Sequence, residues 1–143
     1  MRSFGADTIR NEVILVSRIL LVLLFLIFGW GKLMNYTGTV GYMTQTGVPV
    51  PPLAAIVAIV MEVFVAIALI LGVLTRPLAV LLGLYTLATA IIGHHYWTMT
   101  GAAQYEAEIN FYKNVSIMGG FFLLYVTGAG RYSIDAMVGA RKL

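Results

Sequence analysis

A single carboxylate in the middle of a long apolar run constrains this chain more than any other feature. Residues 53–74 form a stretch of 22 residues whose one ionisable group is Glu62. A helix of about 20 apolar residues crosses the hydrocarbon core of a bilayer. An acid near the centre of such a span costs about 2.5–3.5 kcal/mol on insertion scales, so neighbouring helices must supply it with partners. The chain must therefore contain further spans, and the polar residues they turn toward Glu62 are its functional lead.

Composition agrees with a membrane domain. Of 143 residues, 60% are hydrophobic and 10% charged, with a mean hydropathy of +0.92. That is too apolar for a soluble domain and about the right length for four spans with short connections. The expected fold is an all-α, polytopic four-helix bundle forming one domain over residues 1–143, with spans at 13–33, 53–74, 77–97 and 109–128. The chain has no cysteine, which excludes disulfide relays, thiolate zinc and iron–sulfur chemistry. Its net charge of +3 comes from basic residues placed singly at span ends, with no patch to bind nucleic acid. The polar start of the chain, with Arg2 and Arg10 ahead of an apolar run, imitates a secretory signal. No small-x-small cleavage pattern follows the run, so the first span is expected to persist.

Charge also orients the spans. Arg2, Arg10, Arg18, Arg76, Arg131, Arg141 and Lys142 fall on one side, and Lys32 and Lys113 on the other. The positive-inside rule then places both termini on the cytoplasmic side. Spans two and three are joined by a tight inner turn, with Pro77 suited to the first position of its helix. Outside, residues 34–52 are long enough for a short interfacial helix capped by Thr37 and stopped by Gly47, Pro49, Pro51 and Pro52. Residues 98–108 form a second outer connection. Trp30, Tyr36, Tyr42, Tyr96, Trp97, Phe111 and Tyr112 collect at the outer level, as aromatic rings do at a membrane interface.

Helical spacing sorts the polar residues into faces. Arg18, Val22, Phe25, Gly29 and Lys32 form one stripe of span one. Ala54, Ala58, Glu62 and Ala66 form a small-residue seam on span two, which lets another helix approach the acid. Gly83, Thr86, Ala90 and His94 share a face of span three, and Lys113 and Asn114 stand near the outer start of span four. Because Cβ atoms tilt toward the N-terminus of their own helix, Glu62 leans outward while Lys32 and His94 lean inward. Arg18 leans the other way and can snorkel to the cytoplasm, although an Arg18–Glu62 pair is a second arrangement within reach of its long side chain.

The expected ligand site is thus an outward-facing pocket of Lys32, Glu62, His94, Lys113 and Asn114, with Glu62 and His94 as candidates for proton exchange and Trp30 and Trp97 at its entrance. Its excess of donors suits a quinone carbonyl or a small anion. A purely structural role, an ion pair holding helices in register, is the competing reading. His94 and His95, adjacent on one helix, point about 100° apart and cannot grip one metal together.

Together, Arg18, Phe28-Gly29-Trp30-Gly31-Lys32-Leu33, Gly41-Tyr42-Met43, Gly47-Val48-Pro49, Glu62, Gly72 with Thr75-Arg76, Gly93-His94-His95-Tyr96-Trp97, Phe111-Tyr112-Lys113-Asn114 and Thr127-Gly128-Ala129-Gly130 through Ser133-Ile134-Asp135 resemble the DoxX family, in its bacterial inner-membrane branch. The resemblance implies a four-helix membrane protein associated with quinone-linked oxidoreductase systems, some of them linked to oxidative stress. With it the expectations are no cofactor built into the chain, quinone as the ligand class, and the lipid bilayer, a membrane oxidoreductase and further copies of the chain as partners. A small-molecule exporter and an assembly subunit without chemistry of its own are the alternatives.

Overall fold

The computed structural model describes residues 5–140. Its order is α1 (Arg10–Met34), α2 (Tyr36–Gln45), α3 (Pro51–Leu71), α4 (Thr75–Gly93), a 3₁₀ turn (Tyr96–Thr98), α5 (Gly101–Thr127) and α6 (Ile134–Ala140). Among the described residues there is no strand. Among the described residues three segments are long and apolar enough to cross a membrane: Arg10–Met34, Pro51–Leu71 and Thr75–Thr98. The chain is therefore an all-helical membrane protein.

Helix α1 buries one stripe, Ile14, Arg18, Val22, Phe25 and Gly29, at the spacing of a single helical face. Leu20, Ile27 and Phe28 are left exposed, as apolar side chains against lipid would be. Asn35 ends α1 and caps α2, its Oδ1 accepting from the Gly38 N–H at 3.1 Å. The cap thus falls two residues before the expected Thr37, because Asn is among the best capping residues and stands at the break itself. Helix α2 buries no residue and rests on the start of α3, where the Tyr36 hydroxyl donates to the Pro52 carbonyl.

Prolines 51 and 52 open α3 in its first turn, where the missing N–H groups have no helical partner to lose. The helix does not stay regular: Val60–Val65 is a π-helical segment. Gly72, at φ 70°, ends the helix in the left-handed conformation that glycine adopts without strain. The span therefore stops three residues before the expected 74.

Helix α4 begins at Thr75, which places Pro77 inside the first turn, and ends at Gly93. His94, expected on a span reaching Trp97, instead closes the helix, its N–H bonded to the Ala90 carbonyl at 3.1 Å. Helix α5 starts eight residues before the expected 109. Residues 101–108, read from sequence as a connection, are rich in Ala, Glu and Gln, which favour helix.

Helices α4 and α5 form the most extensive helix pair, while α1 lies along α3. Between them Val22, Phe25, Leu69, Leu82, Phe121 and Leu124 make the core. Beyond α5, Gly128 and Gly130, at φ 70° and 72°, turn the chain back across the ends of α1 and α4 into α6.

Candidate functional site

The site is built on the π segment of α3. An i→i+5 turn inserts a residue into the helix and is found frequently at functional positions; here it carries Glu62, which is 7% exposed. Gly29 of α1 lies directly against it. A Cβ at Gly29 would sit 2.6 Å from the Glu62 Cβ and 2.9 Å from its carbonyl carbon. Only a glycine lets the two backbones come this close.

Each carboxylate oxygen of Glu62 then meets one donor. The Lys32 Nζ, one turn beyond Gly29 on α1, is 2.5 Å from Oε2. The Tyr85 hydroxyl, from α4, donates to Oε1 at 2.6 Å. Three helices thus converge on one acid, and the charge is satisfied by an ion pair and a charge-assisted hydrogen bond. Breaking such a buried pair from one side typically costs about 3–5 kcal/mol, because it strands the remaining charge. The site is not sealed, since the Lys32 side chain keeps 26% of its surface exposed against 10% for Glu62. An ammonium has three donors, and that of Lys32 gives one to Glu62.

The other candidates are distributed differently. Asn114, 7% exposed, donates to the Thr89 hydroxyl at 3.1 Å and to the Thr86 carbonyl at 3.4 Å, so it ties α5 to α4. Lys113 turns along its own helix and donates to Asn110 Oδ1 at 2.7 Å. His94 makes no side-chain hydrogen bond among the described residues, while His95 Nδ1 lies 2.9 Å from the Ile92 carbonyl. Trp30 and Trp97 are both more than half exposed, and Trp97 stacks edge-on with Tyr96 and Phe111. The hydrogen bonds of the described residues join Lys32 to Glu62, hold Lys113 and Asn114 in separate contacts and leave the His94 side chain with none.

Arg18 is neither paired with Glu62 nor snorkelling. It has no exposed surface, and its Nη2 donates to the Tyr132 carbonyl at 2.6 Å. The segment after α5 folds over it and replaces the solvent that a snorkelling side chain would have reached.

Sequence reasoning missed Tyr85. Its signal was depth: it lies near the middle of the 77–97 span as Glu62 does in 53–74, and a phenol buried among apolar residues needs a hydrogen-bond partner.

An intramembrane acid held by a lysine and a tyrosine from two other helices defines a polytopic membrane protein with a built polar centre. The chain belongs to the DoxX family, whose model matches residues 13–95 and so takes in Gly29, Lys32, Glu62 and Tyr85. It is 55% identical to the Escherichia coli inner membrane protein YphA over 94% of this chain and 96% of that protein. It is 40% identical to the E. coli inner membrane protein YqjF over 87% of this chain and 91% of that one. The yeast ER-derived vesicles protein ERV29 is 26% identical over 90% of this chain, which spans 34% of ERV29. No solved structure matches the chain at a significant level.

Proposed function

We propose that this is a bacterial inner-membrane protein, a four-helix bundle of α1, α3, α4 and α5 with both termini cytoplasmic, that binds the electron-rich carbonyl oxygen of an apolar ligand of the quinone class beside Glu62. It serves a membrane oxidoreductase system as a ligand-binding subunit. The location rests on the names of its bacterial relatives, and the orientation on seven basic residues at one end against Lys32 and Lys113 at the other.

The observation that carries the ligand reading is the partly exposed Lys32 held 2.5 Å from a buried Glu62 that Tyr85 also bonds. The chemistry of this donor set fits a carbonyl acceptor. Lys32 can direct a second N–H to a ligand oxygen without giving up Glu62, whereas a bond made only to fix helices would gain nothing from exposure. Glu62 holds the ammonium in place and is the group through which a proton is exchanged, with Tyr85 fixing its orientation. A quinone, when bound, supplies the electron-accepting chemistry that no side chain here provides.

The test is saturable quenching of tryptophan fluorescence by a short-chain benzoquinone in detergent-solubilised protein. Lys32→Met should weaken it by about tenfold or more, the worth of a charged hydrogen bond. Unchanged quenching in a folded Lys32→Met protein would remove the ligand role and leave the pair as a structural tie between helices.

A further inference from the structure

The end of the molecule remote from Lys32 holds a second polar centre that the quinone reading does not use. A cleft of about 460 Å³ opens between the start of α4 and the segment that follows α5, with Thr75, Arg76, Gly128, Ser133 and Asp135 in its wall. Donors outnumber acceptors around it. Arg18, wholly buried, gives Nη2 to the Tyr132 carbonyl, but its Nε and Nη1 have no partner among the described residues. The hydroxyl of Thr75, a residue 1% exposed, makes no well-formed hydrogen bond either, although it lies close enough to the Asp135 carboxylate to help hold that acid's pKa down. Buried donors are seldom left unpaired, and three here lie around one turn. A Cβ on Gly72 would strike both Arg18 Nη1 and Ser133, which sets the guanidinium immediately behind the cleft wall.

The carboxylate in that wall is already engaged. Asp135 accepts the N–H groups of Leu74 and Thr75 through its two oxygens, each at 2.8 Å. The protein thus closes the helix end itself and leaves the side-chain donors over. Arg76, exposed on the cleft wall, makes only a 3.5 Å contact with the Val126 carbonyl among the described residues. Gly128 lies alongside it, a Cβ there falling in ordinary contact 3.5 Å from its Nε and Nη2.

We propose that this cleft binds a phosphate group, with Arg76 as the direct contact, the Thr75 hydroxyl as a second donor and the buried Arg18 charge behind them. The site stands where α4 leaves the apolar span, the level of lipid phosphates, so an anionic phospholipid is the natural carrier, since Arg and Lys side chains at that level are attracted to an anionic leaflet. A planar guanidinium matches phosphate oxygens in pairs.

The test uses the full chain in phosphatidylcholine nanodiscs or mild detergent, with short-chain phosphatidylglycerol and inorganic phosphate as separate probes. Phosphatidylglycerol should bind in preference to phosphatidylcholine. Arg76→Gln and Thr75→Val should each weaken that binding, Arg76→Gln by about tenfold or more, while Thr75→Ser and Arg131→Gln leave it intact. Arg131 is exposed nearby but absent from the cleft wall, so it reports surface attraction alone. Stabilisation by inorganic phosphate alone, lost in the same two variants, would uphold the site and assign it to a soluble phosphate. Equal losses in Arg131→Gln and Arg76→Gln, equal binding by Thr75→Val and Thr75→Ser, or the absence of both a phosphatidylglycerol preference and stabilisation by inorganic phosphate would overturn it.

Discussion

Two glycines of α1, two residues apart, should respond in opposite ways to the same substitution. At Gly29 an added Cβ lies 2.6 Å from the Glu62 Cβ, 2.9 Å from its carbonyl carbon and 3.1 Å from its carbonyl oxygen. Carbon atoms pack at 3.5–4.0 Å, so α1 and α3 must separate by about 1 Å to admit the methyl group. The atoms in the way are backbone and Cβ, which cannot rotate aside. Overpacking of this kind costs about 1–3 kcal/mol, and the separation falls one turn from the Lys32–Glu62 contact. At Gly31 nothing lies within 4 Å of the added atom, so Gly31→Ala should be neutral or gain up to about 1 kcal/mol from helix propensity. Unfolding in mixed micelles, titrated with a denaturing detergent, gives both free energies. Gly29→Ala should lose about 1–3 kcal/mol and the saturable quinone quenching with it, while Gly31→Ala keeps both. Equal stability of the two variants would refute the close approach of α1 to the π segment.

Tyr85→Phe removes one bond from Glu62 without opening a cavity, and should cost about 1.5–3 kcal/mol, the range for hydrogen bonds to charged groups, in the same titration; a change below 0.5 kcal/mol would mean that the phenol is not bonded to a charged acid. A reporter fused after Leu143 should be cytoplasmic and one inserted near Gln104 external, and the reverse labelling would invert the proposed topology. Burial pulls the Asp135 pKa up, but the bonds from Thr75 and Leu74 and the charge of Arg18 outweigh it and hold the carboxyl below its usual range. A depressed acid stabilises its docked state above the undocked pKa and loses that contribution as pH falls through the lower, docked value. The segment around α6 should therefore stay protected from amide exchange at neutral pH and open on acidification below about pH 4, with Asp135→Asn already open at neutral pH; protection that ignores both changes would refute the carboxylate's role.

Much of this arrangement is legible in the residues. The buried stripe of α1 follows from spacing alone, because Arg18, Val22, Phe25 and Gly29 all recur on one face and all prove buried. The Lys32–Glu62 contact follows from depth and side-chain direction. Other features depend on things that no local pattern records. The π turn at Val60–Val65 lies in a run of apolar residues with no proline or glycine to announce it, and it arises where α3 meets Gly29. Arg18 is buried by a segment more than 100 residues away, through a carbonyl whose identity no side-chain pattern encodes. The early end of α4 at Gly93 and the early start of α5 at Gly101 put His94 at the close of its helix rather than within a span, and hydropathy could not place those ends because residues 94–108 mix aromatic, polar and charged groups. Lys113, expected in the wall of the same pocket as Glu62, donates to Asn110, three residues back on its own helix.

A quinone site needs Glu62 to be a working acid rather than a fixed strut, and infrared difference spectroscopy observes that carboxyl directly. Adding a short-chain benzoquinone to the protein in lipid should change the carboxyl bands as the Lys32 ammonium takes a second acceptor and the acid responds. That change should vanish in Glu62→Gln and shift in Tyr85→Phe. A difference spectrum with no carboxyl signal, or one that persists unaltered in Glu62→Gln, would contradict the claim.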